Sequence, residues 1–239
     1  MTVVRTGCAS WSIPRAAAAD FPAEGSHLQR YAAVFNAVEI NSSFYRPHQP
    51  RTYARWAADV PDDFRFSVKA PRRVTHERRL DDCAEPMAQF AGGTAALGAK
   101  LGCVLVQLPP SLDFDAATAR AFFKLARRHF DCMIACEARH ASWFSDAATR
   151  LLEKAGVTRV IADPAKGQPG EHVPTTPGAY VRLHGSPRVY YSSYEDEALD
   201  RYAALLARAD GESWCVFDNT ASGASVPNAV ALLRRLGPG

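Results

Sequence analysis

Charged and amide side chains interrupt short apolar segments of this chain, each time near the carboxyl end of the segment. Side chains alternate between the two faces of a strand, so polar residues two positions apart share one face. Buried charges are costly unless they meet partners, which predicts that these ends converge on one polar pocket. The residues are Glu39, Asn41, Lys69, Gln107, Glu137, Arg139, Asp163, Arg182, His184, Asp218 and Asn219.

The residue types in this set favour acid–base chemistry on an anionic ligand. Glu39 or Glu137 can serve as a general base, and His184 can serve as the matching acid. Arg139 and Arg182 have the planar donor geometry that clamps a phosphate or a carboxylate. The leading hypothesis is therefore an enzyme, or a binding protein, for a small phosphorylated or carboxylated metabolite.

Lysine is rare in this chain, because the printed sequence contains five lysines among 28 cationic residues. A lysine at the end of a predicted strand therefore stands out. Lys69 can add a positive charge to the anion clamp, or it can act as a base or a Schiff-base former where burial lowers its pKa. Lys69 is therefore predicted as a catalytic residue together with Glu39, Glu137 and His184.

Aromatic and histidine side chains are predicted to flank the same pocket. The faces of Trp11, Tyr45 and Trp143 suit a sugar ring or a nucleobase. His76 and His140 follow the third and fifth predicted strands, and histidine titrates near neutral pH. These five residues are predicted as further ligand-binding residues.

Two alternative functions use the same pocket. The first is a metal-dependent hydrolase or isomerase, with nucleic acid as one candidate substrate. In this alternative the carboxylates and His184 are the ligands of a divalent ion. No HxH or HExxH spacing supports a metal site, so no cofactor is predicted and a divalent metal stays an alternative. The second is a non-catalytic protein that binds a nucleotide or single-stranded nucleic acid through the basic segment Arg72–Arg79 and nearby tyrosines.

The elements that must position these residues alternate along the chain. Short apolar runs predict eight strands, and amphipathic segments between most of them predict helices. Alternating strands and helices imply parallel strands, and eight such units match a TIM-type (β/α)8 barrel, whose functional residues lie at the carboxyl ends of the strands. The predicted strands are Val3–Ala9, Ala37–Phe44, Phe64–Ala70, Cys103–Leu108, Cys132–Ala138, Thr158–Asp163, Ala179–His184 and Trp214–Asp218. The predicted helices are Arg51–Val60, Glu85–Leu101, Ala116–Phe130, Asp146–Ala155, Glu195–Ala209 and Pro227–Leu236.

No linker or repeat interrupts this pattern, so a single α/β domain is predicted over residues 1–239. The segment after Asp163 is rich in proline and glycine, which predicts a loop or one stunted helix after the sixth strand.

Composition excludes several classes of protein. The formal net charge is +3 with an isoelectric point near 8.6, which is too mild to indicate nucleic-acid binding by charge alone. No apolar stretch approaches the roughly 18 residues of a membrane helix, and no secretory pattern opens the chain. The six cysteines contain no CxxC pair. A cytoplasmic protein with reduced thiols, a small polar or anionic ligand and no membrane partner is predicted. Its oligomeric state is not predicted.

Several ordered motifs together cover nearly the whole chain: TGCASW, VEINSSFYRP, FRFSVKAPRRVTHERRL, VLVQLPPSL, CEARHASW, YVRLHG and VFDNT. As a set they resemble the YecE-like family, domain of unknown function 72. The resemblance implies a TIM-type barrel and marks the polar residues above as candidate pocket residues. It implies no reaction, because the activity of that family is not established.

Overall fold

The computed structural model describes residues 3–237, which form eight parallel strands in one sheet. The strands pair in chain order from β2 to β8, and β8 pairs in turn with β1, so the sheet curls into a nearly closed barrel. This arrangement confirms the predicted TIM-type barrel. The predicted domain, residues 1–239, extends at both ends beyond the described residues. The strands are β1 Val4–Cys8, β2 Ala37–Ile40, β3 Arg65–Lys69, β4 Leu101–Gln107, β5 Met133–Glu137, β6 Val157–Asp163, β7 Tyr180–Leu183 and β8 Ser213–Phe217.

Helices form the outer layer and bury their apolar faces against the strands. In α5, Ser145 caps the first turn through a hydrogen bond from the Ala148 amide, and Gly156 ends the helix with a left-handed φ of 62°. No helix in residues 3–237 is long and apolar enough to cross a membrane. The helices are α1 His27–Ala32, α2 Pro50–Ala58, α3 Ala84–Thr94, α4 Ala116–His129, α5 Asp146–Ala155, α6 Asp196–Ala207 and α7 Ser225–Leu236.

The helical layer differs from the prediction in two places. The predicted helix Glu85–Leu101 is shorter, because α3 ends at Thr94 and Gly98, at a φ of 56°, breaks the turn that follows. Helix α1 was not predicted, since its six residues are too few to show periodicity, although Ser26 and Gln29 form a capping box at its start. Residues 164–179, between β6 and β7, form a loop without a helix, which is one of the two predicted forms.

Side chains close the barrel where β1 and β2 meet. The Tyr31 hydroxyl accepts a hydrogen bond from the Cys8 amide at 2.7 Å and donates one to the Ala37 carbonyl at 3.1 Å. Gly7 permits this close approach, because a Cβ atom at that position would lie 2.0 Å from the Ala37 carbonyl oxygen. The Tyr31 hydroxyl therefore links the backbones of β1 and β2, which are not paired as neighbouring strands in the described sheet.

Apolar side chains fill the barrel interior below its carboxyl end. Tyr180 and Trp214 stack at a centroid distance of 5.9 Å, and both are fully buried. Cys103, Leu105 and Val216 pack in the same inner cluster. Because this filling leaves no channel through the barrel, polar chemistry is confined to the end where the strands terminate, which we call the mouth.

Candidate functional site

Most of the predicted site residues lie together at the mouth of the barrel. Hydrogen bonds and charge interactions connect all of them except Gln107, which strand register places beside Glu137. Their side chains come from β2, β3, β4, β5 and β7 and from the segments that follow the strands. The structure therefore supports the predicted convergence of strand ends. The residues brought together are Glu39, Asn41, Lys69, His76, Gln107, Glu137, Arg139, Arg182, His184 and Asp218.

Arg182 occupies the centre of the mouth and is fully buried. Its guanidinium donates to Glu39 at 2.9 and 2.7 Å, to Glu137 at 2.5 Å and to Asp218 at 3.2 Å. We call these three acidic side chains the inner carboxylates. All three nitrogens of Arg182 contact these carboxylates, and Nη1 also lies 3.4 Å from His184 Nε2. Arg182 therefore holds the carboxylates in place and has no donor directed at a ligand in this arrangement.

Glu39 is the deepest of the inner carboxylates, with no exposed surface. One of its oxygens also accepts a hydrogen bond from the Tyr180 hydroxyl at 2.9 Å, and Ser67 lies 2.7 Å from that hydroxyl. Both carboxylate oxygens thus have partners inside the barrel. The geometry gives Glu39 the part of a positioning residue for Arg182 and leaves it no open path to a substrate.

Glu137 links the centre of the site to its rim. Burial opposes its ionisation, but the positive charges of Arg182, His184 and Arg139 hold its pKa well below the ordinary value. Arg139 donates to one Glu137 oxygen through Nε at 2.8 Å and Nη2 at 2.6 Å. The Nη1 group of Arg139 makes no hydrogen bond within residues 3–237, so it remains available to an anion at the mouth.

His184 is held between two carboxylates through its two ring nitrogens. Nδ1 lies 2.9 Å from Asp218, and Nε2 lies 3.3 Å from Glu137. Burial acts to lower the pKa of His184, but the hydrogen bonds to Asp218 and Glu137 outweigh it, and the pKa is raised above the ordinary value. The ring is therefore oriented and predisposed to carry a proton, as a general acid requires.

Replacing Asp218 with asparagine is expected to lower the pKa of His184, because the amide keeps the shape of the side chain but removes its negative charge. The measurement is a proton NMR titration of the seven histidine rings, with His184→Gln used to assign the resonance. Asp113→Asn is the matched control, since Asp113 contacts the exposed ring of His140. An unchanged His184 titration in the Asp218→Asn protein would contradict the pairing.

Lys69 differs from its neighbours because its amine has no hydrogen bond or ion pair within residues 3–237. The side chain is nine-tenths buried, and the amine lies 4.3 Å from the centre of the Phe44 ring. Burial, and then the positive charge of Arg182, lower the pKa of Lys69 to about 8, against the pull of the inner carboxylates. The mouth therefore contains a largely buried amine without a hydrogen bond or ion pair that is partly neutral near physiological pH, in addition to the exposed Lys166.

The loops after β6 and β7 narrow the mouth to a small pocket lined by Glu137, Arg139, His184, Lys166 and Tyr190, among others. The free volume between them, about 10 Å³, is little more than a water molecule needs. Gly167 brings the first loop against the strand β5 end, where a Cβ atom would lie 2.4 Å from the Arg139 carbonyl oxygen. A ligand larger than water must therefore displace these loops to reach His184.

Three predicted site residues face the helices. The carboxylate of Asp163 accepts a hydrogen bond from the Tyr202 hydroxyl at 2.7 Å. Asn219 donates to Asn228 at 3.0 Å, and Trp143 is buried in the core between strands and helices. These side chains hold the outer layer of the barrel and do not contact the mouth in this arrangement.

Three others lie near the rim but apart from the central cluster. Trp11 packs edge-on against Trp56 at 5.0 Å. Tyr45 is 78% exposed, and His140 lies 3.1 Å from the carboxylate of Asp113. Ligand contacts for Trp11, Tyr45 and His140 therefore stay predictions that the central geometry does not require.

Two residues of the site were not predicted from the sequence, Tyr180 and Ser67. Each lies two positions before a predicted site residue on the same face of its strand, Arg182 and Lys69 respectively. Strand alternation would have identified them, because it continues inward from the mouth. Their hydroxyls connect the floor of the site to Glu39.

The residues at the mouth do not form a metal centre in this arrangement. No group of three or more His, Cys, Asp or Glu side chains in residues 3–237 is placed to hold a metal ion. The physical reason is Arg182, whose cation lies between Glu39, Glu137 and Asp218 and takes the oxygens that a metal would need. The donor set thus fits an ion-pair network better than a divalent ion.

Comparison with known proteins agrees with the fold. A solved structure of a DUF72 family protein from Thermotoga maritima has 27% sequence identity and a TM-score of 0.80, covering 98% of this chain and 99% of that chain. The UPF0759 protein YecE of Escherichia coli K12 is 30% identical over 141 residues, which is 57% of this chain and 52% of the relative. The UPF0759 protein YunF of Bacillus subtilis is 31% identical over 176 residues, 66% of this chain and 61% of the relative.

The aligned part of the chain thus spans roughly half to three fifths of the length of these curated relatives. The family model described as "Protein of unknown function DUF72" matches residues 5–239, which include all of the barrel strands except the first residue of β1, and every residue of the mouth. The chain therefore belongs to the DUF72 family, whose function is unknown.

Proposed function

We propose that this protein is an enzyme that binds a small phosphorylated or carboxylated metabolite at the barrel mouth and performs acid–base chemistry on it. The observation that carries the proposal is His184, a buried imidazole held by Asp218 and Glu137 in the same mouth as the amine of Lys69. A titratable group whose pKa is shifted by its partners and whose orientation is fixed meets the main requirements of proton transfer.

The charges at the mouth favour an anionic ligand. The positive charges of Lys69, Arg139 and Arg182, with protonated His184, outnumber the three inner carboxylates. The donors of Arg182 are occupied by its buried ion pairs. We therefore assign anion binding to the free Nη1 of Arg139 and the amine of Lys69. An oriented guanidinium edge suits an oxygen of phosphate or carboxylate.

The three inner carboxylates have unequal parts in this proposal. Glu137 and Asp218 hold His184 and stabilise its protonated form, while Glu39 fixes Arg182 between them. Proton abstraction is assigned to the neutral fraction of Lys69 or to Glu137, and proton donation to His184. The alternatives of a metal-dependent enzyme and of a nucleic-acid binder draw no support from a specific contact at the mouth.

Anion binding is tested by thermal unfolding of the full chain with phosphate, sulfate, sugar phosphates, sugar acids and nucleotides. A compound present at about 100 times its dissociation constant adds about 2.7 kcal/mol to the unfolding free energy, which raises the Tm of a chain of this size by roughly 5–10 °C. Arg139→Gln is expected to remove most of that rise, because it deletes the available donor.

The matched control is Arg150→Gln, which removes the same charge from the exposed face of α5, far from the mouth. This variant is expected to keep the full rise in Tm. An equal rise in the Arg139→Gln protein, or no rise with any anionic compound, would refute anion binding at the mouth.

A further inference from the structure

The five lysines of this chain have very different surroundings. Lys100 donates to the carbonyls of Ala57 and Val60 at 2.8 and 2.7 Å. Lys124, Lys154 and Lys166 are exposed to solvent. Lys69 alone combines nine-tenths burial with an amine that has no partner within the described residues.

An ammonium at the end of a largely buried side chain, without a hydrogen bond or ion pair among the described residues, is less well solvated than in water, so its presence needs an explanation. Lys69 projects into the mouth from the last position of β3, and the face of Phe44 covers its amine at 4.3 Å. Burial and the charge of Arg182 favour the uncharged amine, against the inner carboxylates and the cation–π contact with Phe44, and a neutral amine is a nucleophile.

The charged groups that face the amine come from β2, β5 and β7 and from the end of β8. Arg182 opposes its protonation, and the inner carboxylates favour it. His76, on the loop after β3, is close enough for its own pKa to be lowered by the charge of Lys69, after the effect of burial. With a pKa of about 8, roughly half of the Lys69 amine is neutral at pH 8.

We propose that the Lys69 amine forms a Schiff base with the carbonyl carbon of a small phosphorylated or carboxylated aldehyde or ketone. The inference rests on the proposed function and narrows its substrate class to carbonyl compounds. Arg139 then holds the anionic group through its free Nη1, while His184 supplies the proton that the condensation needs.

The condensation balances without a further reactant. The lone pair of Lys69 Nζ forms the N–C bond, and the π electrons of the carbonyl pass to its oxygen. One proton moves from nitrogen to that oxygen, and a second proton from His184 lets the oxygen leave as water. The nitrogen lone pair then forms the C=N bond. A neutral amine, a carbonyl compound and one proton thus yield a cationic imine and water.

The cationic imine withdraws electrons from the neighbouring carbon of the substrate. Loss of a proton, or cleavage of a carbon–carbon bond, at that carbon becomes easier because the imine accepts the electron pair. Glu137 is ionised at the same mouth, and we assign it to take such a proton. The class of reaction is therefore isomerisation or carbon–carbon bond cleavage of a carbonyl compound.

Reductive trapping tests the proposal. The full chain is incubated with glycolaldehyde phosphate and sodium cyanoborohydride at pH 8, and the adduct is located by peptide mass spectrometry. We expect one adduct, on Lys69, forming at least about tenfold faster than adducts on the exposed Lys124. Lys69→Met is expected to abolish this adduct, whereas Lys124→Met leaves it unchanged. Labelling spread over the exposed lysines, with Lys69 unmodified, would overturn the proposal.

Two further arms separate this inference from the proposed function. If glycolaldehyde phosphate raises the Tm of the wild type but not of Arg139→Gln, and Lys69 stays unmodified, anion binding stands and the Schiff base is refuted. If glycolaldehyde without phosphate labels Lys69 as fast as the phosphate ester does, and neither compound raises the Tm, the anionic substrate class is refuted for both proposals.

Discussion

Replacing Arg182 with methionine is expected to destabilise the protein by about 3–5 kcal/mol, because breaking a buried ion pair leaves its partner charges uncompensated. The substitution keeps much of the side-chain volume but removes the cation that contacts Glu39, Glu137 and Asp218. Both Glu39 and Glu137 are at most 1% exposed, so water cannot take its place. For a chain of this size the expected fall in Tm is roughly 10–15 °C.

Urea unfolding at pH 7, followed by circular dichroism, measures this effect, with Arg150→Met as the matched control. Arg150 is exposed on α5, so its loss is expected to change stability by less than about 0.5 kcal/mol. A small effect of Arg182→Met, comparable to that of the control, would show that the inner carboxylates do not depend on the guanidinium.

The pH dependence of the stability difference between the wild type and Arg182→Met gives an independent check. Burial raises the pKa of Glu137 and Asp218, but Arg182 and His184 depress both values on balance. A depressed folded-state pKa stabilises the protein above the unfolded value, near pH 4, and this contribution is lost as the pH falls. Because Arg182→Met lacks the main cause of the depression, its deficit relative to the wild type is expected to shrink between pH 7 and pH 4.

The barrel could be predicted from the sequence because its signals are local and repeated. Each buried strand is an apolar run flanked by helix periodicity, and the polar residue at its end marks the mouth. The seam between β1 and β2 was not predictable in this way. It depends on Tyr31 reaching across to Cys8 and Ala37, contacts that no periodicity encodes.

The candidate site was predicted as a set of residues, and the structure shows which of them face inward. Asp163 follows Ala162, whose partner across the strands is Arg182, so strand alternation turns Asp163 toward the helices. Strand alternation along β7 places Arg182 and His184 on the inner face, and the same alternation along β6 excludes Asp163 from the mouth. The central position of Arg182 is different, because residue types do not show which of several cations will occupy the middle of a charge network.

Replacing Lys69 with methionine is expected to stabilise the protein at neutral pH, whereas Arg182→Met is expected to destabilise it. Burial, and then Arg182, lower the pKa of Lys69 from 10.5 to about 8, so folding works against the charge that the amine carries at pH 7. A shift of one pKa unit corresponds to about 1.4 kcal/mol, so removing the charge is expected to add about 3 kcal/mol. Methionine also packs well against Phe44.

The sign of the pH dependence follows from the same shift. Between about pH 8 and pH 10.5 the unfolded chain binds more protons at Lys69 than the folded chain does, so wild-type stability from this group rises with pH. The advantage of Lys69→Met, measured by urea unfolding, is therefore expected to be full at pH 7 and to shrink toward pH 10. Lys124→Met, on the exposed face of α4, is the control and is expected to change little at either pH.

The contrast between Arg182→Met and Lys69→Met distinguishes a residue that stabilises the fold from a residue that serves chemistry at the mouth. Arg182 stabilises the fold because its charge is fully compensated, whereas Lys69 costs stability because its charge is not. A group kept at a cost to folding is typical of a functional site. A loss of stability on Lys69→Met would show instead that the amine has a stabilising partner, and the case for a reactive lysine would fail with it. A gain would leave reactivity as the remaining physical reason for an unpaired amine at this position.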